Sequence, residues 1–231
     1  MALPKIDTPR FNGTIASSGE EVTFRPFKVK EEKILMLASE GGEYKDMVNA
    51  CAQIVSNCVE NLNAYELPIF DLQDLFIQIR SKSDGALANF KLTCGNDDCG
   101  ESIPYEMDLT EFKMTGLDNR PNDVIQVSED MIIKLKYPNA AMASVIDELD
   151  DAVLVAKCIE HVVDGEETIN VEEEPIEDVV NFVEDLPIDT FKEIQSFFTN
   201  MPMMEHVVEY KCPECEHDNR ISINGYEHFF G

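Results

Sequence analysis

Apolar residues recur along this chain in two rhythms, helical spacing and strict alternation, and the blocks interleave. The first block, RFNGTIASSGEEVTFRPF, alternates around a Ser18-Gly19 turn: Ile15 and Ala16 lead in, Val22, Phe24 and Phe27 follow, and Asn12-Gly13 adds a second turn or bulge signal. It predicts a β-hairpin. From Val29 to about Ser39 the pattern VKEEKILMLAS is helical, and Gly41-Gly42 interrupts it. A second helix from about Tyr44 to Asn61 carries a core stripe of Met47, Ala50, Cys51, Ile54, Val55 and Cys58. The segment ELPIFDLQDLFIQIRSKSDG predicts a third helix, with Asp71 as N-cap, Gly85 as stop, and Leu72, Leu75, Phe76 and Ile79 inward. Arg80 and Lys82 near its end complement the helix dipole.

Further on, MIIKLKYP alternates Ile133 and Leu135 with Lys134 and Lys136, the mark of a strand, after a loop through Asn119, Pro121 and Asn122. Ala140 to Val163 reads as one long helix, with Val145, Leu149, Val153, Ala156 and Ile159 on one side, ended by Asp164-Gly165. After the acidic segment GEETINVEEEP, Ile176, Val179, Val180 and Val183 mark another helix. Pro187 separates it from a last one bearing Ile188, Phe191, Ile194, Phe197 and Phe198. Core packing is the plain expectation for that aromatic face, and a partner surface the sharper one.

Charge narrows the partners. The formal net charge is -28, from 46 acidic and 18 basic residues. Between Asp147 and Asp185 there are 15 acidic residues against the single base Lys157. Such a field repels phosphate backbones, so nucleic acid is not expected as a partner. It either steers a basic partner or keeps the chain soluble, and both remain open. Arg25, Lys28, Lys30 and Lys33 form a positive shoulder, either a docking element or a solvated face. At 231 residues and 44% apolar composition the chain can bury a sizeable core. No apolar run approaches the roughly 18 residues of a membrane span.

Chemistry concentrates in four cysteines, Cys94 and Cys99 in TCGNDDCG and Cys212 and Cys215 in KCPECEHD. Strand-like stretches flank each pair: Phe90, Leu92 and Ile103, Tyr105 at the first, Val207, Val208, Tyr210 and Ile221, Ile223 at the second. Each pair is therefore expected at the tip of a hairpin, together forming one tetrahedral four-thiolate zinc site. Cys212 and Cys215 fit a tight turn restricted by Pro213. Gly95, Asn96, Asp97 and Asp98 give the first pair a longer loop of turn formers. Two disulfides or four free thiols are the alternatives. The beginning of the chain shows no apolar signal segment, so a reducing interior is expected and disulfides are disfavoured. A closed four-thiolate site has no open position for water and is structural. Cys51, Cys58 and Cys158 are expected as core residues.

An enzyme is not expected, because no phosphate-binding loop, GxSxG or HExxH occurs, and His161, His206, His217 and His228 are scattered. His217 stands two residues from Cys215, but four cysteines already complete a shell.

The segments LPKIDTPRF, RPFKVKEEKILMLA, ELPIFDLQDLFIQIRSKSDG and FKEIQSFFTNMP, with the ending HVVEYKCPECEHDNRISINGYEHFF, occur in this order along nearly the whole chain. Together they resemble the baseplate hub family of T4-like tailed bacteriophages. The resemblance implies a noncatalytic structural subunit or assembly chaperone of the hub. Its partners would be other hub or tail proteins, and it would act in the host cytoplasm during assembly or in the virion tail baseplate. The family's cysteine pairs fall on Cys94 with Cys99 and Cys212 with Cys215, although the four-residue gap of the first departs from a simple CxxC. The alternative is an acidic adaptor or nucleic-acid mimic that occupies a basic groove on a host protein.

The expected fold is α+β, with helices packed around a small zinc-ribbon-like β module, in a single interwoven domain over 1–231. Its subregions are an N-terminal hairpin (1–28), a helical part (29–85), the first cysteine hairpin and strands (86–138), an acidic helical part (139–204), and the second cysteine hairpin and tail (205–231). Homo-oligomerisation is left open.

Overall fold

The computed structural model describes residues 6–83, 85–142 and 151–224. An antiparallel hairpin opens the fold, β1 (Phe11–Thr14) paired with β2 (Glu21–Phe24). Three helices follow: α1 (Val29–Gly41), α2 (Tyr44–Cys58) and α3 (Ile69–Ser81). The predicted stripe of α2 is buried throughout, as are Leu72, Leu75, Phe76 and Ile79 of α3. α1 differs, because its buried residues are Ala38 and the charged Glu31. Burial of a carboxylate requires a full set of partners, and Arg25 supplies two contacts, at 2.9 and 3.3 Å. The Lys28 backbone N–H donates a third at 2.9 Å, in the manner of a capping box. Arg25 also donates to the Asn57 carbonyl at 2.9 Å. It is thus a buried strut rather than part of an exposed basic shoulder, which reduces to Lys28, Lys30 and Lys33.

The ends of two helices follow local backbone chemistry. α1 stops at Gly42, whose φ of 69° is left-handed and whose N–H reaches the Ala38 carbonyl at 3.2 Å. Helix α3 begins after Pro68 and ends at Lys82, so Asp71 is not its N-cap and Gly85 is not its stop. Pro68 holds an extended ψ of 143° and starts the helix early. Asp71 therefore lies inside the first turn, fully buried, where Oδ1 accepts the Ser17 N–H of the β1–β2 turn at 2.9 Å.

Strands β3 (Leu87–Thr93) and β4 (Ser102–Asp108) form one antiparallel hairpin, and β10 (Met203–Lys211) and β11 (Asp218–Asn224) form another. β10 also pairs with the short β5 (Lys113–Thr115). Buried side chains from both hairpins, Leu92 and Met107 from one and Val208 and Ile223 from the other, join the core of α2 and α3.

A second core lies on a four-stranded antiparallel sheet in the order β6 (Val124–Gln126), β7 (Met131–Leu135), β8 (Ile159–Asp164), β9 (Glu167–Asn170). It is covered by α4 (Asp151–Cys158), α5 (Ile176–Glu184) and α6 (Ile188–Thr199). The long helix expected over Ala140 to Val163 is corrected here. Residues Ala140–Met142 form one 3-10 turn, α4 ends at Cys158, and Ile159 starts a strand. Ile159, Val162 and Val163 are β-branched, Ile159 pairs with Leu135 of β7, and Val162 and Val163 gain ladder partners on both sides, which outweighs a helical reading of a short apolar run. Val145 and Leu149, placed on that helix, lie outside the described residues. Phe197 and Ile194 of α6 are core, whereas Ile188 is exposed. Tyr137 links the two cores: it stacks on Phe197 at 4.9 Å and meets Phe70 of α3 edge-on at 5.1 Å. Among the described residues no helix is long and apolar enough to cross a membrane.

Candidate metal centre

The four predicted cysteines stand at the tips of the two long hairpins. Cys94 directly follows β3, Cys99 precedes β4, Cys212 directly follows β10, and Cys215 precedes β11. Each first cysteine closes its loop with its own backbone N–H. Cys94 donates to the Glu101 carbonyl and Cys212 to the His217 carbonyl, both at 2.9 Å. The longer first loop folds on Asn96, whose carbonyl accepts the Cys99 N–H at 2.9 Å and whose side chain accepts the Asp98 N–H at 3.2 Å. The extra residues are thus absorbed in an Asx turn. In the shorter loop Glu216 takes a left-handed φ of 57° and donates its N–H to the Cys212 carbonyl at 3.0 Å.

All four Sγ atoms lie within 4.8 Å of one another. Two close approaches cross between hairpins, Cys94 to Cys215 at 3.6 Å and Cys99 to Cys212 at 3.9 Å. A disulfide needs about 2.05 Å. Four sulfurs around one zinc at about 2.3 Å would stand roughly 3.8 Å apart. The spacing is therefore compatible with one shared cation and not with S–S bonds, and the all-thiolate donor set suits a soft or borderline ion such as zinc. Cys94 and Cys212 are buried, Cys99 is partly covered and Cys215 is exposed.

Without a cation the cluster holds its protons unevenly. The His217 backbone N–H pulls the Cys215 thiol down to about 6, against burial and with help from Cys99, Asn96 and Cys94. The Glu101 N–H favours the Cys99 thiolate, yet Cys215, burial, Cys212 and Cys94 together push that group up to about 12. Cys94 behaves similarly: the Asn96 N–H favours its thiolate, but burial and its thiol neighbours hold it above the ordinary value. Four anions cannot gather here unless a cation replaces the protons. The three other cysteines are unlike these. Burial raises Cys51 well above its ordinary value, Cys58 to about 11 and Cys158 to about 12, as expected for inert core thiols.

Two polar residues that the cysteine pattern did not single out join the hairpins. Buried Asn219 of β11 accepts the Gly95 N–H through Oδ1 at 2.7 Å, and its Nδ2 donates to the His217 carbonyl at 3.0 Å and lies 3.8 Å from Cys94 Sγ. Tyr210 of β10 donates its hydroxyl proton to the Thr93 carbonyl at 3.0 Å, tying strands of two different sheets. The sequence holds one clue to the first, since Asn219 shares the inward face of β11 with Ile221 and Ile223 and is the polar member of that row. His217 contributes backbone groups to the second loop, and the group that could hold a metal ion among the described residues consists of the four cysteines.

A family model described as T4 bacteriophage base plate protein matches residues 8–231. No curated protein and no solved structure matches the chain. Because the match spans nearly the whole sequence and takes in both cysteine hairpins, the chain belongs to the T4 bacteriophage base plate protein family.

Proposed function

We propose that this chain is a noncatalytic structural or assembly component of the baseplate hub, stabilised by one zinc ion held by Cys94, Cys99, Cys212 and Cys215. Family membership gives the broader statement, a structural or assembly role in the phage baseplate with other baseplate proteins as partners, at the virion tail. The finer assignment to the hub rests on the resemblance of the quoted segments, in their order along the chain, to the baseplate hub family. Nucleic acid has no part in the proposal, given the net charge of -28.

The observation that carries the role is the family match over residues 8–231, and the thiol cluster explains how the part is made rigid. A bound zinc would supply cross-linking alone, since four thiolates leave no site for water or substrate. The crosslink would join residues more than a hundred positions apart and favour one interwoven domain over 1–231, with the chain leaving the first core for the second and returning through β10. Assembly in the host cytoplasm precedes incorporation in this scheme.

Quantitative mass spectrometry of tail-assembly intermediates and finished phage tests the hub assignment. A fixed small-integer ratio to hub proteins in both fits a permanent subunit. Presence in intermediates alone fits an assembly chaperone, and absence from both overturns the proposal.

A further inference from the structure

Among the described residues nothing covers the outer face of α1, which carries three exposed apolar side chains. Val29, Met36 and Leu37 are 75%, 58% and 70% exposed, although they lie on a helix whose other side packs on α2. Lys28 and Lys30 flank this stripe and Lys33 stands within it, one turn from Val29 and from Met36, while Lys30 Nζ lies 3.1 Å from Glu31, which points inward to Arg25. Glu40 is the exposed acid at the far end and Glu32 is half-buried. In a chain with 46 acidic and 18 basic residues, an apolar stripe set among lysines is a local inversion of charge.

The opposite combination occurs on the second core. Between β9 and α5 lies an open cleft of about 320 Å³. Its floor is formed by Ile169, Val179 and Phe182, and its rim by the exposed carboxylates Glu167, Glu174 and Asp178, with no base among the lining residues. Apolar floor and acidic rim complement apolar stripe and lysine border.

We propose that the α1 face docks in the β9–α5 cleft of a second copy of this chain. Complementary charge selects that occupant over a symmetric α1-to-α1 contact, which would set lysines against lysines. The contact is head-to-tail, so each copy keeps one free face of each kind and association closes into a ring or continues. Attraction between exposed charges weakens as salt shortens the screening length. The inference concerns the isolated chain and does not rest on the hub assignment.

The test uses three forms of the full-length chain: wild type, a face variant Met36→Asp/Leu37→Asp, and a cleft variant Glu174→Lys/Asp178→Lys. All four substituted positions are exposed, and circular dichroism checks that the variants fold. Analytical ultracentrifugation should give the wild type a mass above the monomer that rises with concentration and falls with salt. Each variant alone should be monomeric. An equimolar mixture of the two variants should form a 1:1 dimer, because the intact α1 face of one meets the intact cleft of the other. A wild type that stays monomeric up to its solubility limit, variants that associate as well as wild type, or a mixture that remains monomeric would each overturn the proposal.

Discussion

Asn219 on β11 accepts the backbone N–H of Gly95 at 2.7 Å, across 124 positions of sequence, and so joins the two cysteine loops through protein atoms alone. An added Cβ at Gly95 would meet Asn219 Oδ1 at 3.3 Å, so the loop backbone sits close against this side chain. Replacing Asn219 with Ala removes its bonds to the Gly95 N–H and the His217 carbonyl, at a cost of about 0.5–1.5 kcal/mol for each hydrogen bond lost. Removal of an outer-shell group also weakens metal affinity, roughly 10–100-fold in characterised sites. Urea unfolding and competition with a chelator should show both losses in N219A, with metal still bound at saturation.

The ion pair of Arg25 and Glu31 sets a fully buried carboxylate against a buried guanidinium. Burial alone pushes Glu31 up, but Arg25, the Lys28 N–H and Lys30 overcome it and hold the carboxyl below its ordinary value. A lowered acid adds stability above its unfolded value, and that stability is lost as pH falls through the folded one. Arg25→Ala strands the buried carboxylate and should cost about 3–5 kcal/mol at neutral pH. The variant should recover part of the deficit at acid pH, where Glu31 takes a proton. Chemical denaturation at neutral and acid pH reads both effects.

Asp74 carries the opposite sign. Burial, with the like charge of Asp71 adding to it and Gln78 opposing it, raises Asp74 from 3.8 to about 6. Between those values the folded protein keeps a proton that the unfolded chain has lost, so stability falls as pH rises through the window. Asp74→Asn retains an acceptor for the Gln78 amide, which donates to Asp74 at 2.8 Å. It should raise stability at neutral pH and flatten the dependence across that window, as measured by melting temperature against pH.

Phe197 and Phe198 are adjacent in sequence and unequal in energy. Phe197 is fully buried and stacks on Tyr137 with an interplanar angle of 12°, whereas Phe198 is half-buried at the edge of the same core. Phe197→Ala should cost about 3–5 kcal/mol and Phe198→Ala clearly less. Equal and small losses in denaturant titrations would mean that the aromatic face is not core.

What could be read from sequence followed from how local each signal was. The cysteine hairpins were legible because paired ligands between alternating strands constrain a short segment, and α2 because its stripe repeats over four turns. The region after Ala140 was misread where Ile159, Val162 and Val163 fit either rhythm, and only pairing with β7 and β9 decides between them. Locally, Asp71 reads as the N-cap of the third helix and Arg25 as part of a basic shoulder. Their burial depends on partners distant in sequence, Ser17 for one and Asn57 for the other, which no local pattern encodes.

The most direct test of the zinc clip is metal content, measured by elemental mass spectrometry on the chain purified without chelator under reducing conditions. One zinc per chain is the expected result, lost together with folding stability in Cys212→Ser and Cys215→Ser, because structural zinc contributes directly to folding. A folded chain free of metal, whose melting temperature neither serine substitution changes, would contradict it.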